Sequence, residues 1–208
     1  MVVSRATLAT FTLVFAFFAR PLPATAQGAP PAPSGDEPRA EAATPDAKAA
    51  AETLFTKGKE LLDAGKCDEA YPLLKESLRL DFGLGTLLWL SHCQEELGMT
   101  ASAWAGFKEA EQLAKRKGQA DREEAAKKRA TALEPKLARL KLLVHEANEG
   151  IGLVVKRNGV IVGEPTWGQL LPVDPGEQKV EATAPGYKPW SGTVEIAPGP
   201  SDAEATVP

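Results

Sequence analysis

The sequence predicts an α+β chain, with antiparallel helical hairpins first and a small all-β sandwich after them. Three observations carry this. Apolar residues recur at helical spacing from about Pro45 to Glu134. That stretch contains an internal repeat of 33 residues. From Leu140 onward the apolar spacing drops to two, with Asn-Gly and Pro-Gly turn dipeptides between the runs.

The helices are taken in order. Ala51, Leu54, Phe55, Gly58, Leu61 and Leu62 form the stripe of a first helix, which Gly65 ends. A second carries Ala70, Leu73, Leu74 and Leu78, tolerates Pro72 near its first turn, and stops at Asp81-Phe82-Gly83. Leu84, Leu87, Leu88, Leu90 and Leu97 mark a third, stopped by Gly98. Thr100 reads as the N-cap of a fourth, whose inner stripe is Ala103, Trp104, Phe107, Ala110 and Leu113. Lys115-Arg116-Lys117 set cations against its C-terminal end, and Gly118 closes it. A fifth helix, Asp121 to Glu134, has only a thin stripe of Ala126, Ala130 and Leu133, with Leu137 just beyond. Its acid-base pattern reads as a solvated outer face, which suits a polar terminal cap.

Gly65 and Gly98, Ala70 and Ala103, Leu74 and Phe107, and Ser77 and Ala110 are each 33 residues apart. This spacing resembles tetratricopeptide repeats, whose period is 34. The resemblance covers about residues 51 to 117. It implies a helix-breaking glycine, a small residue where the two helices cross, and a large residue filling the groove. The first copy departs from the family pattern at Leu74 and Ser77. The expectation is two tetratricopeptide-like (TPR-like) repeats plus a capping helix.

In the β region, Leu140, Leu142 and Val144 alternate with Arg139, Lys141 and His145. Ile151 to Val162 holds Asn158-Gly159 between apolar runs, a hairpin signal. Gln169 to Val173 is a short strand, and Pro175-Gly176 and Pro185-Gly186 are turns. Lys179, Glu181 and Thr183 alternate with Val180, Ala182 and Ala184; Trp190, Val194 and Ile196 share one face. The total is about six strands, with the end of the chain either a last strand at Glu204 to Val207 or frayed. Asn158-Gly159, Gly163, Pro175-Gly176 and Gly186-Tyr187 carry a resemblance to PEGA domains over about residues 138 to 197. Asn148-Glu149-Gly150-Ile151 stands where that family has its naming tetrapeptide. The order of the parts is similar to that of a bacterial group of exported proteins without an enzymatic role.

The beginning of the chain reads as a secretory signal peptide over residues 1–26. Arg5 supplies the positive charge, Leu8 to Ala19 an apolar run, and Ala24-Thr25-Ala26 a small-residue cleavage site. The apolar run is too short to span a bilayer. Residues 27–46 are rich in Pro and Ala and read as a disordered linker. The helical region is assigned to 47–135 and the β region to 136–208. The formal charge is −4. Loss of Arg5 and Arg20 with the signal makes it −6, which argues against nucleic acid or anionic lipid as a partner. Cys67 and Cys93 do not have metal-ligand spacing. They fit either two buried thiols or, in an exported chain, a disulfide.

No nucleophile elbow, zinc-protease, P-loop or dinucleotide motif is present, so no catalytic, cofactor-binding or metal residue is assigned. Two histidines, His92 and His145, fall in different regions. The TPR-like template places Phe55, Lys59, Leu62, Leu88, His92 and Glu95 near one concave face, a candidate groove for a peptide or partner helix. Phe55, Leu62 and Leu88 equally fit a plain core. Trp167 and Tyr187 are candidate exposed aromatics on the β region, where aromatics either pack or stack on sugars. The expected function is an exported, non-enzymatic adaptor that binds a protein partner through its helices, with the β region as a second envelope contact. A carbohydrate- or peptidoglycan-binding envelope module is the rival, and a hydrolase with an unfamiliar site is a further one.

Overall fold

The computed structural model describes residues 43–148 and 152–208. The signal peptide assigned to 1–26 lies outside the described residues, as do the linker up to residue 42 and Glu149 to Ile151 of the tetrapeptide. The described chain is α+β, with five α-helices followed by two sheets.

The helices are α1 (Pro45–Asp63), α2 (Cys67–Leu80), α3 (Leu84–Glu96), α4 (Thr100–Arg116) and α5 (Ala120–Leu133). Helix α1 begins inside the stretch read as linker. Thr44 Oγ1 accepts from the Ala47 amide at 3.2 Å, Pro45 takes the first helical position, and Asp46 sits in the first turn. Helices α1, α3 and α4 end in the same way. Gly65, Gly98 and Gly118 have φ of 74°, 74° and 65°. After each, the next amide reaches back five residues, as in Lys66 N to Leu61 O, Met99 N to Gln94 O and Gln119 N to Ala114 O. This is the Schellman arrangement, in which glycine supplies the left-handed residue. It makes the turns of the hairpins alike.

Burial follows the 33-residue repeat. Ala70 and Ala103 are fully buried, and so are Leu74 with Phe107 and Ser77 with Ala110. The departures in the first copy have physical reasons. Leu74 fills the crossing because Gly58 of α1 comes so close that a Cβ there would lie 2.9 Å from the Leu74 side chain. Ser77 Oγ donates to the Ala51 carbonyl at 2.8 Å, tying α2 to α1 in a buried site.

After a short 3-10 turn at Glu134–Lys136, the chain enters β1 (Ala138–Val144). Then come β2 (Val154–Arg157), β3 (Val160–Val162), β4 (Leu170–Val173), β5 (Gly176–Thr183), β6 (Trp190–Ile196) and β7 (Asp202–Val207). One sheet has the order β4-β1-β7 and the other β3-β2-β5-β6. The described residues thus hold seven strands rather than about six. The seventh runs parallel to β1, with Leu140 beside Ala203 and Val144 beside Val207. Asn158 and Gly159, both at positive φ, make the β2–β3 hairpin turn. The inward residues of both sheets meet in one core: Ala138, Leu140, Leu142, Val173 and Val207 from one, Val155, Val180, Ala182 and Ile196 from the other.

Thr100 is not the N-cap of α4. Met99 precedes the helix and has no capping side chain. Asp174, between β4 and β5, supplies the cap instead. Its carboxylate accepts from the Ser102 amide at 2.9 Å and from the Ser102 hydroxyl at 2.5 Å.

Candidate functional site

A concave groove lies among α3, α4 and α5. Each outer helix contributes one face. Gly85, Leu88, Trp89 and His92 follow one another at i, i+3, i+4 and i+7 on α3. Arg122, Ala125, Ala126 and Arg129 do the same on α5, and Phe107 of α4 forms the floor between them. The groove has a volume of about 350 Å³. Leu88 and Trp89 are only half-buried, although both are large and apolar. The small residues Gly85, Ala125 and Ala126 keep the walls low. Helix α5 buries only Ala126, Ala130 and Leu133, as its thin stripe predicts, and its exposed Arg122 and Ala125 border the groove.

The electrostatics centre on Arg129. Its Nε lies 3.2 Å from Glu95 Oε2. That oxygen is buried and receives no well-aligned hydrogen bond, so the contact is an ion pair rather than a directed bond. Arg129 Nη2 is 2.6 Å from His92 Nδ1. A guanidinium only donates, so Nδ1 accepts and the ring proton sits on Nε2. The guanidinium also stands over the Phe107 ring at 5.5 Å. At the other end of α5, Arg122 donates to Gln119 Oε1 at 3.0 Å and has no ion pair among the described residues. Lys59 bridges from α1, paired with Asp63 at 2.7 Å and lying 5.1 Å over the Trp89 ring.

The candidate residues divide accordingly. Leu88 and His92 line the groove. Glu95 stands behind it, holding Arg129, and Lys59 touches it through Trp89. Phe55 and Leu62 do not reach it; they pack against Ala70, Leu74, Leu90 and Cys93, which is the core alternative. Trp89, Arg122, Ala125 and Arg129 also line the groove, which the template alone does not predict. Their signal was the matched i, i+3, i+4, i+7 spacing on α3 and α5, hidden on α5 by its many charges.

His92 faces a carboxylate, Glu96 Oε1 at 4.0 Å, but its Nδ1 is already occupied by Arg129. His145 is exposed just beyond β1. Among the described residues no group of three or more His, Cys, Asp or Glu side chains is placed to hold a metal ion. None of the described helices is long and apolar enough to cross a membrane.

Trp167 is not an exposed aromatic. It packs half-buried against the sandwich core, and its Nε1 donates to the Val162 carbonyl at 3.1 Å. Tyr187 is 63% exposed. It borders a small cavity of about 70 Å³ with Lys188 and Trp190, and Trp190 also packs on the core.

No family model matches the chain. No curated protein matches it either. Among solved structures, the chain is similar to PcrH in complex with the chaperone binding region of PopB, at 23% identity over 41% of this chain and 82% of that one, with a TM-score of 0.29. It is also similar to PcrH in complex with the chaperone binding region of PopD, at 24% identity over 39% of this chain and 73% of that one, with a TM-score of 0.28.

Proposed function

We propose that the protein is an exported, non-enzymatic adaptor that holds a segment of a partner protein in the α3–α5 groove. The observation that carries this is the half-buried pair Leu88 and Trp89 in a groove of about 350 Å³, beside the Arg122 cation, which has no ion pair among the described residues. An apolar floor with a charged rim suits a peptide that inserts an aliphatic or aromatic side chain and presents a carboxylate. The PEGA-like sandwich is a second contact to the envelope in this reading, and removal of residues 1–26 delivers the chain there.

The test places a photo-crosslinking amino acid at Ala125, an exposed residue on the groove wall, in the full chain expressed in its own cells. A discrete adduct to one protein is expected, and Leu88→Asp should abolish it. An adduct pattern identical to that from the same group at Lys179, on the sandwich surface, would reject the reading.

The carbohydrate alternative rests on Tyr187, exposed beside Trp190 and Lys188. Retention of the chain on purified cell wall, lost in Tyr187→Ala, is its signature. Equal retention of the variant would remove the basis for this alternative.

A further inference from the structure

Cys67 is the first residue of α2, and Cys93 lies in the last turn of α3. They are 26 positions apart in the sequence. The antiparallel packing of α2 on α3 nevertheless puts them in one apolar cluster with Ala70, Leu74 and Leu90. Cys67 packs against the buried cluster that contains Cys93, and both thiols are free. Their surroundings differ. Cys93 is fully buried. Cys67 is half-buried and lines an open cavity of about 420 Å³ with Leu62, Gly65, Asp68, His92 and Leu97. Burial first, and then the Cys67 thiol, push Cys93 up to about 12. Cys93 is therefore a protonated thiol at neutral pH, out of reach of external reagents.

We propose that Cys67 and Cys93 are a thiol-disulfide site, in which Cys67 is the entry thiol and the product is a disulfide stapling α2 to α3. The oxidant is a small-molecule disulfide. Deprotonated Cys67 attacks one of its sulfurs, forming a mixed disulfide and expelling one thiolate. Cys93 then gives up its proton and attacks Cys67 Sγ, breaking the mixed disulfide and expelling the second thiolate. The two protons lost by the protein end on the two leaving thiolates. The protein loses two electrons and the small disulfide gains them. The shallow burial of Cys67 admits the first step, and the placing of both thiols in one cluster of the fold makes the second intramolecular. The site adjoins the groove through His92, but the inference is independent of any ligand bound there.

The test uses the full reduced chain with oxidised glutathione, quenched in acid and read by intact mass. The expected end product is lighter than the reduced chain by two hydrogens, with a melting temperature raised by about 5 °C. Cys67→Ser should give no lighter species, and its native Cys93 should react with a thiol reagent at least ~100-fold more slowly than in denaturant. Cys93→Ala should stop at the mixed disulfide on Cys67; if that variant does not fold, Cys67→Ser and the unsubstituted chain decide. A stable mixed disulfide without the lighter species, or no reaction in the unsubstituted chain, would overturn the proposal.

Discussion

Asp174 of the β sandwich caps the N terminus of α4 through Ser102, a residue 72 positions earlier in the chain. One carboxylate oxygen takes the Ser102 amide, which has no partner within the helix, and the other takes the hydroxyl. Its negative charge also faces the positive end of the helix dipole. A residue of the sandwich thus does what Met99, ahead of the helix, has no side chain to do. The contact holds the sandwich against the helix whose Phe107 floors the groove. Asp174→Ala is expected to cost about 1 kcal/mol in thermal melts. It should also speed amide exchange at the start of α4, most at Ser102. Unchanged exchange there would show that the cap does not hold the helix end.

Gly58 measures how tightly α1 crosses α2. Helix propensity alone favours Gly58→Ala by about 1 kcal/mol. The new Cβ, however, would lie 2.9 Å from Leu74, which is itself fully buried. Overpacking of this kind costs about 1–3 kcal/mol, so the expected net effect is destabilising. Adding Leu74→Val should relieve the clash and recover part of the loss. A melt showing Gly58→Ala more stable than the unsubstituted chain would mean that α1 and α2 readily move apart.

Arg129 is the hinge of the groove's electrostatics. Arg129→Met leaves Glu95 with a buried oxygen facing no cation and frees His92 Nδ1. The expected cost is about 1 kcal/mol, since the pair is partly exposed. Glu95→Gln in the same chain should cost less than the sum of the two single changes, because the stranded charge is gone. Strict additivity in denaturant titrations would refute the coupling.

Export has a direct chemical readout. Expressed in its own cells, the mature chain should begin at Gln27, as read by N-terminal sequencing. Recovery of the protein only with residues 1–26 intact, in the cytoplasm, would overturn both the signal assignment and the envelope role.

The helical half was largely legible because its signals are local. Gly65, Gly98 and Gly118 each follow the end of an apolar stripe and supply the left-handed residue that closes the helix, and Ala70 and Ala103 are small at positions where a larger side chain would hold the helices apart. In the sandwich, the parity of Leu140, Leu142, Val180, Ala182 and Ile196 identified the inner face. Strand β7 was harder to read. Its inward residues Ala203 and Ala205 are small, and its partner β1 lies some sixty residues away. For Trp167 the sequence leaves packing and exposure both open, because it lies in a loop between turn residues; the fold selects packing, with the indole closed over the Val162 carbonyl.

The sequence by itself determined the helices, their stops, the repeat and the alternation of the strands, since each depends on neighbours within a few residues. Of its candidate groove residues, Leu88 and His92 line the α3–α5 groove. Only the tertiary structure decided that Arg122 and Arg129 of α5 border the groove, that Phe55 and Leu62 belong to the core, and that Cys67 and Cys93 share one cluster. It alone decided that Asp174 caps α4. These relationships join residues tens of positions apart, and chain packing rather than local preference selects which side chains meet.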